Sequence, residues 1–337
     1  MMRPLINGGR VLISESMKKT NNEKPNRPGL SRGRRALLIV AVLAFIGCIG
    51  AYIAYSYVLP AREIQALSRI ADAKKTAEQS AAETSSEGPQ PVYDVVLPKY
   101  ETLLAQNGDL RGWLSVPEYG LDLPVVQGPD NDYYLRRSFT GEWSLAGTPF
   151  FDYRIADFVT LPRNTVVYGH NMRRNDIMFG VFQNLRTVEG YRSCPVIELD
   201  TLYRDYRWFV YAVFITNPYE RQDNGYFFPY NFIGTTDTSF EGYLKEIDKR
   251  KFYSTGVELT AQDRLLTIST CCYDFKDARL VVVARLQREG EPDLPDTSLA
   301  AENPNPKFPQ VWYSDRRMTN PFADDARWYP AADRDRD

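Results

Sequence analysis

His170 is the only histidine in a chain of 337 residues, and it stands in the run Val166-Val167-Tyr168-Gly169-His170-Asn171-Met172. About a hundred residues later, Leu265-Leu266-Thr267-Ile268-Ser269-Thr270-Cys271 forms a β-type run that ends on a cysteine, and Arg279 opens the next apolar run, Leu280-Val281-Val282-Val283. A thiol, an imidazole and a guanidinium are the parts needed for thiol-based acyl transfer. If imidazole chemistry takes place here, His170 must supply it.

Each residue alone has a plainer reading. Cys271 could be a small buried hydrophobe. The polar Ser269-Thr270 pair, however, marks a strand leaving the core, where a side chain can reach a cleft. A hairpin from Cys271 to Arg279 would bring both to the same end of adjacent strands. A cation there favours the thiolate and can donate to a developing oxyanion. Cys272 would point to the opposite face of the strand, so only one of the two cysteines can line a cleft. His170 could be a strand-end residue bonded to backbone, but Gly169 before it permits close approach of another group, and an imidazole with its usual pKa of roughly 6.5 suits protonation of a leaving amine. Arg279 alone would be a solvated charge. One histidine and scattered cysteines have no metal-ligand spacing, and no glycine-rich phosphate loop or other cofactor signature is present.

The elements that must position these residues are mostly strands. Short β-type runs occupy residues 112–116, Asn164–Tyr168, Arg207–Thr216, 264–270 and Arg279–Leu286, several of them continuously apolar as in strands buried on both faces. Helices are fewer: residues 100–106, a stretch at 178–185 after His170, and one beginning at Thr238. There Glu241 completes a capping box and Phe240, Tyr243, Leu244 and Ile247 share a face. The pattern predicts a mainly β fold with helical decorations, as a closed barrel or a sandwich.

The ends of the chain differ from its middle. Residues 1–35 carry nine Lys/Arg against two Asp/Glu, while the remainder has 32 basic and 41 acidic residues. The basic block has too little apolar surface to order itself. Residues 36–59 contain no charge, enough length in a helix to span a bilayer of about 30 Å. Arg32, Arg34 and Arg35 flank the start of this segment, which predicts a cytoplasmic N-terminus and an extracellular domain. Tyr52, Tyr55 and Tyr57 at its exit, together with its length, favour an uncleaved signal anchor over a cleaved signal peptide. Residues 60–91 read as a polar helical stalk and linker, residues 92–288 as one domain, and residues 289–337 as a Pro/Asp-rich tail that Trp312, Tyr313, Trp328 and Tyr329 could dock. The acidic domain argues against nucleic acid. Cys48 lies in the apolar segment, which leaves no even disulfide framework; Cys194 and Cys272 could pair, although a domain of this size needs no staple.

These residues resemble a class B sortase. Thr267-Ile268-Ser269-Thr270-Cys271 is similar to the family's Thr-Leu-x-Thr-Cys motif, Arg279 to the arginine opening the following strand, and Tyr168-Gly169-His170-Asn171-Met172 with Met178-Phe179-Gly180 to its histidine region. The class rests on residues 107–114, Leu123-Pro124-Val125-Val126-Gln127, residues 130–135, residues 147–152 and the helix from Thr238. The resemblance covers residues 98–286.

The resemblance implies a sortase-type eight-stranded closed β-barrel at a Gram-positive cell surface, with Cys271 as nucleophile, His170 as general acid/base and Arg279 as clamp for oxyanion or substrate, and with no metal or cofactor. Asp274 and Asn171 are both candidates to orient His170. The implied reaction cleaves a sorting motif of secreted proteins (Asn-Pro-x-Thr or Pro-x-Thr type) after its threonine. The acyl-enzyme thioester passes to an amine of the peptidoglycan cross-bridge or its precursor, or to a pilin lysine. A pilin-polymerising sortase is the rival enzyme reading; an anchored surface binding module is the non-enzyme one. Leu294-Pro295-Asp296-Thr297 looks like the start of a sorting signal, but Ser298 follows and no hydrophobic tail comes after it, so a chance match is the expectation.

Overall fold

A computed structural model describes residues 31–84, 94–172, 177–234 and 237–330, with side chains at 81–84, 177, 237 and 238 outside the description. The expected linker at 85–91 and most of the basic N-terminal block lie outside the described residues. The chain divides into two compact units, the first ending at Ile53 and the second running from Ala54.

The described part of the first unit is helix α1, Arg32–Ile53. Arg32, Arg34 and Arg35 are its first turn rather than a flank, and its side chains are exposed throughout. Among the described residues, one continuous helical stretch is long and apolar enough to cross a membrane, and α1 supplies its apolar part.

The second unit is built on a barrel of eight strands: β1 (Leu110–Val116), β2 (Leu121–Val126), β3 (Phe150–Phe151), β4 (Asn164–Tyr168), β5 (Val196–Thr201), β6 (Arg207–Thr216), β7 (Leu265–Cys271) and β8 (Arg279–Leu286). They close in the order β1-β2-β3-β4-β7-β8-β6-β5. Closure leaves no strand edge to aggregate. All pairs are antiparallel except β2–β3 and β4–β7.

Period-two alternation fills the interior with one face of every strand, among them Leu114, Leu123, Phe151, Val167, Ile197, Val213, Ile268 and Val282. The outer face of β6, β7 and β8 is also covered. Tyr211, Phe214, Leu265, Val281 and Val283 meet Phe240, Tyr243 and Ile247 from helix α5, which runs Asp237–Arg250 and follows the short helix α4 (Val188–Ser193) in the chain. That double burial explains the continuously apolar strands. The helix starts one residue before Thr238, whose side chain lies outside the described residues.

A third cluster seals the opposite side. Helix α3 (Pro98–Gln106) and helix α2 (Leu59–Thr84) contribute Tyr100, Leu103 and Ala71 over Trp113 and Val126. The segment expected as a stalk is therefore helical but lies against the barrel. Its thin apolar stripe suffices because Lys74 is also buried there, its Nζ 5.0 Å from the centre of the Trp113 ring. Beyond β8 the chain crosses the domain surface, and Trp328 is buried between α5 and residues 226–232. Asp296 in the sorting-signal look-alike accepts from the Ser298 N–H at the start of a single 3-10 turn.

Candidate active site

Three strands bring the chemical groups together. The parallel pair β4–β7 aligns Tyr168 with Ser269, so His170 and Cys271 each follow two residues later at the same end. Two further bonds tie the strand ends: Gly169 N–H to the Ser269 carbonyl at 3.3 Å, and Thr270 Oγ1 to the Gly169 carbonyl at 2.8 Å. Across the antiparallel pair β7–β8, Cys271 stands directly opposite Arg279. The Arg279 Nη1–H donates to Cys271 Sγ at 3.3 Å, and the same nitrogen donates to the Asp277 carbonyl at 2.9 Å. Cys271, His170 and Arg279 are all partly exposed, at a surface where strands β4 and β7 end and β8 begins.

Parity separates the two adjacent cysteines. Cys271 shares the outer face of β7 with Ser269 and Thr267, whereas Cys272 faces inward and is 2% exposed. Burial pushes the Cys272 thiol upward, and the neighbouring Asp274 carboxylate adds to the effect. Cys194 is likewise buried, with its thiol pushed up to about 12. All four cysteines are free, so Cys194 and Cys272 do not pair.

The His170 Nε2–H donates to the Leu135 carbonyl at 2.8 Å. An acceptor that can only accept fixes the proton on Nε2 and leaves Nδ1 as the basic nitrogen of the neutral ring. Burial lowers the imidazole pKa below its ordinary value, the Arg136 and Arg279 charges push the same way, and the Leu135 carbonyl and the Glu63 carboxylate oppose them. Gly169 is required by packing: a Cβ there would come within 2.6 Å of the Phe179 ring. The helix expected at 178–185 is a 3-10 segment, Phe179–Arg186, and Phe179 is its first residue.

Among the described residues, Asp274 and Asn171, the two candidates for orienting His170, make their hydrogen bonds elsewhere. Asp274 takes a bidentate bond from Arg186 at 3.0 and 2.7 Å. The Asn171 amide donates to the Cys271 carbonyl at 2.8 Å and so holds the end of β7. Sequence reasoning missed the Leu135 carbonyl, for which no side-chain type is a signal. It also missed Tyr230, whose hydroxyl meets Ser269 Oγ at 2.9 Å two residues before Cys271. Beneath the end of β4, buried Asp152 accepts from the Tyr168 hydroxyl at 2.9 Å and from Arg154 at 2.8 Å. Burial alone would raise the Asp152 pKa, but Arg154 holds it below the usual value.

The arrangement allows nucleophilic attack by sulfur beside a cation, with a histidine at the next strand end. Comparison with known proteins points the same way. The sortase domain model matches residues 114–287. Sortase B of Listeria monocytogenes is 31% identical over 217 residues, which is 64% of this chain and 82% of that one. Among solved structures, a Staphylococcus aureus sortase B–substrate complex superposes with a TM-score of 0.58 at 26% identity, covering 69% of this chain and 100% of the other. Sortase B from B. anthracis in complex with AAEK1 gives a TM-score of 0.56 at 29% identity, with 69% and 100% covered. The closed eight-stranded barrel and these matches agree: the chain belongs to the sortase family, in its class B, whose members are cysteine transpeptidases.

Proposed function

We propose that the chain is a membrane-anchored transpeptidase in which Cys271 is the nucleophile, His170 the general acid/base and Arg279 the clamp for oxyanion or substrate. The observation that carries this reading is the Arg279 guanidinium 3.3 Å from Cys271 Sγ, with His170 at the end of the strand beside it. The sulfur, its proton passed to His170, adds to the carbonyl carbon of the threonine in a sorting motif of the Asn-Pro-x-Thr or Pro-x-Thr type. Arg279 stabilises the oxyanion. His170 gives its proton to the departing amine as the C–N bond breaks, which leaves a thioester on Cys271. An incoming amine from the cell wall then loses its proton to His170, attacks the thioester and expels the thiolate.

The lowered imidazole pKa supports this assignment, because a neutral ring at neutral pH is ready to take the thiol proton. With Nε2 committed to Leu135, proton exchange falls to Nδ1. Energy stored in the thioester allows the second amide to form without an external source. Residues 36–59 would hold the enzyme in the membrane with its catalytic domain outside, where its substrates emerge.

The test is cleavage of fluorogenic sorting peptides by the full chain in detergent. Activity should need a free thiol, vanish in Cys271→Ala and His170→Ala, and persist in Cys272→Ala. Undiminished turnover in Cys271→Ala removes the assignment.

A further inference from the structure

The contacts that hold His170 lead away from the barrel to helix α2. Leu135, whose carbonyl accepts from the imidazole, belongs to a loop folded back on itself. The Ser144 N–H donates to the Arg136 carbonyl at 3.0 Å and the Thr148 N–H to the Tyr134 carbonyl at 3.2 Å. Arg136 Nη1 donates to the Leu145 carbonyl at 2.6 Å. Gly147, with φ of +65°, closes the loop; a Cβ there would lie 2.5 Å from the Tyr134 oxygen and 2.7 Å from the Leu135 oxygen. The position of the Leu135 carbonyl thus depends on how the 144–147 turn is held.

That turn directs three donors at one carboxylate. Glu63, in the second turn of α2, accepts from Ser144 Oγ at 3.1 Å, from the Leu145 N–H, and from the Ala146 N–H at 2.8 Å. Two backbone amides and a hydroxyl on one carboxylate form a directional clamp. It comes from the helix that follows the apolar segment in sequence, outside the residues matched by the family model.

We propose that Glu63 is a positioning residue for His170: by clamping the 144–146 turn it fixes the Leu135 carbonyl, and so lets α2 govern the orientation of the imidazole. For the activity readout alone, this rests on the acid/base role proposed above for His170. The charged and titratable groups around the ring are the Arg136 and Arg279 cations, the Glu63 carboxylate and the Cys271 thiol on the adjacent strand. Burial and the two cations disfavour the imidazolium, while Glu63 favours it. Neutralising Glu63 therefore moves the titration of His170 to lower pH and frees the Leu135 carbonyl to shift. A carboxylate serving only as a helix–loop staple would change melting temperature and leave the ring untouched.

Because His170 is the only histidine, a 15N-histidine-labelled full chain in detergent micelles, carrying a tag without histidine, has one imidazole to follow. In the wild type the proton of the neutral ring should reside on Nε2. In Glu63→Gln the midpoint should fall and the Nδ1–H tautomer appear. Turnover of the sorting peptide should drop about 10- to 100-fold in kcat, the usual loss for a misplaced catalytic group, with little change in KM. Glu63→Asp keeps the charge but shortens the reach, so its tautomer should shift while its midpoint moves less. A Glu63→Gln imidazole with wild-type midpoint and tautomer overturns the proposal. If that variant does not fold, an unchanged tautomer in Glu63→Asp does so instead. Should the wild type cleave no peptide, the functional reading fails, while the imidazole spectra still decide the role of Glu63.

Discussion

Trp328 shows how the tail beyond the barrel is held and what it supports. Its ring is 7% exposed and packs against Tyr243 at 5.1 Å, Phe232 at 5.8 Å and Phe228 at 6.1 Å between centroids. Its Nε1–H donates to the Ser239 carbonyl at 2.8 Å, and its own carbonyl accepts from the Tyr226 hydroxyl at 2.9 Å. Trp328→Ala removes the ring and the indole donor but keeps the backbone acceptor. Truncating a buried tryptophan costs about 3–5 kcal/mol. For a domain of this size each kcal/mol lowers the melting temperature by roughly 2–4 °C, so the fall should be roughly 6–20 °C. Trp328→Phe retains most of the apolar surface and loses the hydrogen bond, worth about 1 kcal/mol, which predicts a shift of only about 2–4 °C. Scanning calorimetry of both variants separates packing from hydrogen bonding. The consequences extend to the site, since the Tyr243 hydroxyl donates to the Tyr230 carbonyl at 3.2 Å and Tyr230 meets Ser269. Peptide cleavage should therefore weaken in Trp328→Ala before the domain melts. A variant that melts within about 1 °C of the wild type, well below the range expected for cavity formation, would refute the view that the tail is part of the core.

Three further outcomes follow from the site. Iodoacetamide at neutral pH should label Cys271 and spare Cys194: at about 12 its thiolate is roughly three thousand-fold scarcer than that of an ordinary cysteine near 8.5, so mass-spectrometric recovery of carbamidomethyl-Cys194 at a comparable rate contradicts the burial argument. Arg279→Lys keeps the charge but replaces the guanidinium whose Nη1 reaches both Cys271 Sγ and the Asp277 carbonyl by an ammonium without its planar geometry, and kcat should drop about 10²- to 10³-fold, as for a lost oxyanion donor; a steady-state assay with near wild-type kcat refutes it. The third concerns pH. The folded state lowers the His170 pKa, so the unfolded chain binds the proton more readily. This histidine's contribution to stability is complete above its unfolded value of roughly 6.5 and is lost as pH falls through the folded value. Urea melts at pH 7.5 and 5.5 should show a smaller loss of stability in His170→Gln than in the wild type; equal losses count against the burial effect.

Much of the site was legible because it depends on strand parity. Alternation on β7 places Cys271 and Cys272 on opposite faces, and a hairpin register brings Arg279 to Cys271; both hold. Strands β4, β6 and β8 have the bounds their apolar runs predicted. Other strands were obscured by local chemistry. Pro124, a residue that normally argues against a strand interior, lies inside β2, and β3 is only two residues long. β5 alternates buried and half-buried positions, but Glu198 and Asp200 dilute its apolar signal. The helix at 59–84 gave little sign of its packing for a different reason: Ile64, Leu67 and Ile70 form only a thin apolar stripe in the sequence, while Leu67, Ile70 and Ala71 meet surfaces made by α3 and the barrel. Contacts such as Leu135 to His170 use backbone atoms, which every residue type offers equally.

The parallel pair explains why the histidine and the cysteine are a hundred residues apart. Two antiparallel neighbours joined by a tight turn would bring one strand's end beside the other's beginning. To set the C-terminal ends of β4 and β7 side by side, the chain must return to the starting end of the sheet before β7 begins. That return is the stretch holding β5, β6 and α5, so the crossover required by the topology also closes the barrel and covers its outer face. Tyr230 and Tyr243 belong to the same stretch and contact the strand that carries Cys271 through Ser269 and each other. Placement of the sulfur and of the wall beside it is thereby coupled through one segment. Substitutions at Phe232 or Phe240, far from the thiol in sequence, should consequently lower peptide turnover as well as the melting temperature.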